Sequence, residues 1–141
     1  MIRVERDVDA GAAHLWAAVA DPVTWPQWTE SMTSVELLDG RLAPGARARV
    51  VQPGLPPSLW TVTEFVPGQS FVWSSTSGGV TTVGSHTVRA LDGGRSRIEL
   101  GLDQRGLLAP VLGLLFGRRF RRFVTMEADG LKAAAEAVAR R

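Results

Sequence analysis

Alternation opens the chain. Ile2, Val4, Arg6 and Val8 interleave with Arg3, Glu5, Asp7 and Asp9, the two-residue period of a half-buried strand. From Ala10 to Ala20 the period lengthens: Ala12, Trp16, Val19 and Ala20 recur at helical spacing, which predicts a first helix. Asp21-Pro22 reads as an N-cap followed by proline at the first helical position, so a second short helix is expected to run to about Trp28 with Trp25 and Trp28 on one face. Six apolar segments follow: Met32–Leu38, Ala46–Val51, Leu59–Val66, Phe71–Ser75, Val80–Ala90 and Arg97–Asp103. They are divided by Asp39-Gly40, Pro53–Pro57, Pro67-Gly68, Gly78-Gly79 and Asp92–Gly94. These are turn formers, and links this short predict an antiparallel meander. From Pro110 to Arg140 the two-residue period is gone, and Phe116, Phe120, Phe123, Leu131, Ala134 and Val138 mark one long helix. Its opening, Leu107–Leu115, is apolar all round and reads as a mouth, gate or contact surface, with Pro110 and Gly113 as expected points of kinking.

Order and local residues together resemble a known superfamily. The carriers are Leu15-Trp16, then Asp21 and Trp28 after the first strand, Gly45 before the third, and Trp60-Thr61-Val62-Thr63-Glu64 running into Pro67-Gly68. Leu131-Lys132 with Glu136 is similar to the terminal-helix signature of the polyketide cyclase/dehydrase branch. The chain thus resembles the START-like or SRPBCC superfamily over essentially its whole length. The resemblance implies an α+β helix-grip fold, a curved antiparallel seven-stranded sheet wrapped around a long C-terminal helix in the order β-α-α-β6-α. It also implies a cavity for a hydrophobic or aromatic, polyketide- or lipid-like molecule between sheet and helix. Some members of the superfamily catalyse and many only carry. Aromatase and cyclase members place tyrosine and arginine in the pocket, whereas this chain has no tyrosine.

Composition narrows the classes of function. At 141 residues a single domain spanning 1–141 is expected, with 45% hydrophobic and 21% charged residues, ordinary globular usage. The absence of cysteine removes thiol nucleophiles, thiolate metal sites and disulfides. The two histidines, His14 and His86, stand far apart without acidic partners at ligand spacing, so no metal is expected. No phosphate loop, nucleophile elbow or dinucleotide fingerprint occurs, and no cofactor is expected. The N-terminus lacks the apolar run of a secretory signal, and the longest apolar stretch, Leu107–Gly117, is 11 residues. The expectation is a cytoplasmic protein without a spanning helix. Charge is uneven: eight basic and three acidic residues from Gln104 onward make +5, leaving −3 for the rest. Without interleaved aromatic platforms this does not predict a nucleic-acid partner. Arg118, Arg119, Arg121 and Arg122 beside the apolar Leu107–Phe116 admit two readings, a solvated face or a patch making transient contact with anionic membrane.

Two polar residues fall among apolar neighbours. In the sixth strand Thr82, Gly84, His86 and Val88 share a face, which aims His86 at the cavity as acid-base or as a hydrogen-bonded lining residue. Glu127 is the one charge in the stripe of Phe116, Phe120, Phe123, Leu131 and Ala134. It either pairs with His86 or turns outward where Gly117 or Gly130 shifts the phase. Trp60, Val62 and Glu64 in the fourth strand and Phe71, Trp73 and Ser75 in the fifth are expected to wall the pocket, with Phe116, Phe120 and Phe123 as its floor; Trp60 and Trp73 also read as core, and Glu64 as exposed at the rim. Three functions follow: a binding protein; a cyclase, aromatase or dehydratase using His86; or a lipid or quinone chaperone that docks on membrane.

Overall fold

The computed structural model describes all of residues 1–141. β1 (Ile2–Val8) is followed by α1 (Ala12–Val19), a 3-10 helix (Pro22–Gln27) and six strands: β2 (Ser34–Leu37), β3 (Arg47–Val51), β4 (Ser58–Val66), β5 (Ser70–Ser77), β6 (Val80–Ala90) and β7 (Ser96–Arg105). A 31-residue helix, α2 (Ala109–Ala139), closes the chain. The strands form one antiparallel sheet in the order β1-β7-β6-β5-β4-β3-β2. The meander β2–β7 therefore brings the last strand beside the first, and the expected helix-grip arrangement is the one found.

The elements trace to local chemistry. Val4 and Val8 are buried on β1 while Glu5 and Asp7 face water. Gly78 and Gly79 take φ of +59° and +80° between Ser77 and Val80, which pair directly. That is the two-residue turn whose twist matches the strands and which side chains other than glycine resist. The segment after Asp21 is a 3-10 rather than an α-helix and ends one residue past Pro26, which has no N–H to donate. Asp21 makes no side-chain cap, and Thr24 Oγ1 instead donates to the Asp21 carbonyl at 2.7 Å. Trp25, 1% exposed, donates from Nε1 to the Ala18 carbonyl at 3.0 Å and plugs one end of the core.

α2 is continuous, contrary to the expected kink. Pro110 lies in its first turn, where an N–H has no helical partner to lose. The two halves differ in environment. Val124, Ala128, Leu131, Ala134 and Ala135 are buried against sheet and α1, whereas Leu107, Leu114 and Leu115 are 95%, 87% and 68% exposed. The buried half is tied to β1: Lys132 Nζ donates to the Asp7 carbonyl at 2.6 Å, Glu136 Oε2 accepts from the Asp9 N–H at 2.8 Å, and Arg6 pairs with Asp129 at 2.8 Å. At Gly130 the helix backbone comes so close to the chain after the 3-10 helix that an added Cβ would lie 2.6 Å from the Trp28 carbonyl oxygen. No helix is long and apolar enough to cross a membrane.

Candidate functional site

A cavity of about 640 Å³ lies between the concave face of the sheet and α2. That volume is in the range of small-molecule sites. Cross-strand register builds its wall. Val62 pairs with Trp73, Trp73 with Gly84, and Gly84 with Leu102. These positions share one face of the sheet, and two residues further along lie Trp60, Ser75, Thr82 and Gln104. Gly84 serves by lacking a side chain. The Trp73 indole edge sits 3.2 Å from where a Cβ would be, so the ring lies flat across β6. Trp60 and Trp73 meet at 5.6 Å between ring centroids, and the Trp60 Nε1 is satisfied by Ser58 Oγ at 2.8 Å. From α2 come Leu108, Leu112, Leu115, Phe120, Phe123 and Glu127. The open side is bounded by the first turns of α2, the loop carrying Leu55–Pro57, and the β5–β6 turn. Arg119 Nη2 donates to the Pro53 carbonyl at the start of that loop, while its guanidinium carbon lies 5.4 Å from the centre of the Phe123 ring.

At the inner end, His86 Nε2 lies 3.4 Å from Glu127 Oε1, with side chains 5% and 12% exposed. The imidazole is stacked on Phe71 at 4.1 Å and 11° and abuts Trp25 and Trp73 at 5.3 and 5.6 Å. Three aromatic rings thus fix its orientation. His86 Nδ1 lies 3.3 Å from the Phe71 carbonyl oxygen. A carbonyl only accepts, so Nδ1 carries the proton in that contact. Nε2 is then the nitrogen turned to the carboxylate. Glu127 Oε1 is buried and accepts no hydrogen bond from the protein, so this end of the cavity offers an unused acceptor to whatever enters.

The sequence-predicted residues divide. His86, Glu127, Trp60, Trp73, Ser75, Phe120 and Phe123 line the cavity together. Val62 and Phe71, 2% and 0% exposed, belong instead to the packed core, Phe71 directly beneath the His86 ring. Glu64 is exposed because β4 shifts register between Val62 and Glu64. The extra residue, Thr63, turns Glu64 outward and Phe65 inward onto Trp16, whose ring lies 5.8 Å away. Phe116 also misses the cavity. Leu112 and Leu115 line it from the first turns with Leu108 at the N-cap, and Phe116 stands instead beside Phe120, 6.3 Å between ring centroids. Among residues not foreseen, Gln104 had a readable signal: it continues the phase of Leu100 and Leu102, and β7 runs to Arg105 rather than ending at Asp103. Leu55, Pro56 and Pro57 had none, since a loop's folding back over a mouth is a tertiary event.

Comparison with known proteins follows the same lines. The family described as polyketide cyclase / dehydrase and lipid transport matches residues 1–136. No curated protein sequence matches the chain. Among solved structures, the protein TTHA0849 of Thermus thermophilus superposes with a TM-score of 0.78 at 18% identity, over 98% of both chains. The Zhui aromatase/cyclase of Streptomyces sp. R1128 does so with 0.77 at 18% identity, over 96% of this chain and 92% of its own. A START superfamily protein of Mycobacterium smegmatis gives 0.69 at 16% identity, over 99% and 96%. Identities this low speak for shared architecture, while the family match covers nearly all of the sequence. The chain is a member of the polyketide cyclase / dehydrase and lipid transport family.

Proposed function

We propose that the protein binds a hydrophobic or aromatic small molecule in the cavity between sheet and α2. One observation carries this reading: a space of about 640 Å³ is walled by Trp60, Trp73, Phe120 and Phe123 and ends at a polar pair, His86 and Glu127, of which one oxygen has no partner. An apolar body with a hydroxyl or other donor at one end fits that distribution, because the rings take the body and Glu127 Oε1 takes the donor. Native mass spectrometry of freshly purified protein, together with titration of the neutral fluorescent probe N-phenyl-1-naphthylamine, tests it. We expect one molecule bound per chain and loss of binding in Ser75→Trp, whose indole fills the space. Probe binding that is absent, or unchanged in Ser75→Trp, overturns the reading.

The 3.4 Å approach of His86 Nε2 to Glu127 Oε1 favours a second reading, a cyclase, aromatase or dehydratase. Here neutral Nε2 removes a proton from a carbon flanked by carbonyls of a polyketone. The enolate attacks a carbonyl in the same chain to close the ring, and the imidazolium gives that proton to the new alkoxide; Nε2 then removes the second proton of the same carbon, the ring C=C forms, and this proton passes to the departing hydroxyl, which leaves as water. Glu127 stabilises and orients the imidazolium, and Trp60 and Trp73 hold the rings. The shared fold of the Zhui aromatase/cyclase supports testing this with a poly-β-ketone thioester analogue. His86→Gln should bind the analogue but form no water-loss product, and product formed by His86→Gln at the wild-type rate eliminates this chemistry.

A further inference from the structure

A second concavity, about 580 Å³, lies on the other flank of α2, between its first turns and the β1–β7 edge of the sheet. Its floor is apolar, with Ile2, Leu102 and Phe120, and its rim carries Arg105, Arg118 and Arg121. No carboxylate lines it. Arg105 is paired with Asp103 at 3.1 Å, but the guanidinium groups of Arg118 and Arg121 have neither an ion pair nor a hydrogen bond, unlike those of Arg6, Arg47, Arg89 and Arg97, which each hold a carboxylate. Three residues apart on a helix, the two guanidinium groups share a flank and repel one another, a repulsion that a bound anion relieves. Gly113 and Gly117 face the same groove, and a Cβ on either would meet nothing within 4 Å. The bay therefore has room for a head group. Leu102, Gln104 and Phe120 line this groove and the large cavity alike, so the two spaces adjoin through a common wall.

We infer that the ligand of the cavity is an amphipathic anion whose carboxylate or phosphate sits in the groove against Arg118 and Arg121, while its apolar body reaches the cavity where the wall of Leu102, Gln104 and Phe120 yields to it. This rests on the cavity-binding reading above and adds the charge and location of the head group. Arginine suits the role, since its planar fork meets carboxylate and phosphate oxygens two at a time.

Displacement of N-phenyl-1-naphthylamine by dodecanoate, dodecyl phosphate and dodecanol separates the two ideas. The anions should compete about tenfold or more better than the alcohol, the scale of one charge-assisted hydrogen bond, with an advantage that shrinks as salt rises. In Arg118→Gln/Arg121→Gln, dodecanoate should fall to the level of dodecanol, while dodecanol and the probe bind as before and thereby report an intact fold. Probe and alcohol that fail to bind refute the cavity reading and this inference with it. Probe and alcohol that bind, with no preference for the anion or with a preference that survives the double substitution, refute the head-group site alone. Inorganic phosphate that shifts the amide resonances of Gly117–Phe123 as strongly as dodecyl phosphate refutes the link between groove and cavity, leaving a site for free anions.

Discussion

Gly130→Ala should destabilise the protein although it replaces glycine by the best helix former inside a helix. On propensity alone the change favours folding by about 1 kcal/mol. The structure opposes it, because the new methyl group would stand 2.6 Å from the Trp28 carbonyl oxygen and 3.0 Å from the Trp28 carbonyl carbon and Thr29 Cβ. Ordinary carbon contacts are about 3.5 Å or longer, and two of the obstacles are backbone atoms of a segment pinned by the buried Trp25 and by the Thr29–Ser31 hydroxyl contact at 2.7 Å. Relief requires α2 to lift from the 3-10 segment, and overpacking of this kind costs about 1–3 kcal/mol, at the upper end where backbone must move. The clash is expected to win by about 1–2 kcal/mol, a fall in Tm of about 3–7 °C for a chain of this length. Gly113→Ala on the same helix supplies the opposite sign. Nothing lies within 4 Å of that Cβ, so only the propensity gain applies, about 0.5–1 kcal/mol and a rise of about 2–3 °C. Thermal unfolding followed by circular dichroism, with urea midpoints at unchanged m-value as a second measure, decides it. A Gly130→Ala protein as stable as wild type refutes the reasoning.

Two other outcomes follow from the structure. The Asp9 N–H, first, and then Lys132 hold the Glu136 carboxyl below its usual range. A carboxylate depressed on folding stabilises above its unfolded pKa and loses that contribution as pH falls through the folded one. The stability difference between wild type and Glu136→Gln should therefore be widest near neutrality and close on acidification below the ordinary glutamate range; a gap that widens in acid contradicts the assignment. If the exposed leucines of the cavity mouth touch membrane, Leu107→Ser/Leu114→Ser/Leu115→Ser should abolish co-sedimentation with phosphatidylglycerol vesicles, and wild-type protein that stays in the supernatant rules the contact out.

Strand order was legible because turn formers punctuate the sequence at every link, and all six predicted strand segments overlap the observed ones. Phase alone puts His86 on the inward face of the sheet, on a two-residue period, and Glu127 in the apolar stripe on a 3.6-residue period; of the two readings of Glu127, the inward one holds because α2 is unbroken. Where the reading failed, periodicity itself was broken or context decided. The bulge at Thr63 inverts the phase of β4 without any mark in composition, so of the two readings of Glu64, pocket wall or exposed rim, the exposed one holds. Phe71 and Val62 do face inward, but depth, not direction, separates a core residue from a cavity wall, and depth depends on Trp25 arriving from a distant turn. The groove beside Arg118 and Arg121 was invisible for the same reason. Its other bank is β1 and β7, more than a hundred and about twenty residues away in the chain.

The unbroken α2 has a mechanical consequence. Its C-terminal half is clamped at Gly130 and by Lys132 and Glu136, while its first turns overhang the cavity. At 1.5 Å per residue, Leu107 lies about 35 Å from that clamp. A rigid rod pivoting there by about 5° carries its free end about 3 Å and Arg119, about 16 Å from the clamp, about 1.4 Å, enough to stretch the Arg119–Pro53 contact past hydrogen-bonding length. Entry to the cavity is then set by leverage, and residues that never meet the ligand, Trp28 and Thr29 among them, govern how wide it opens.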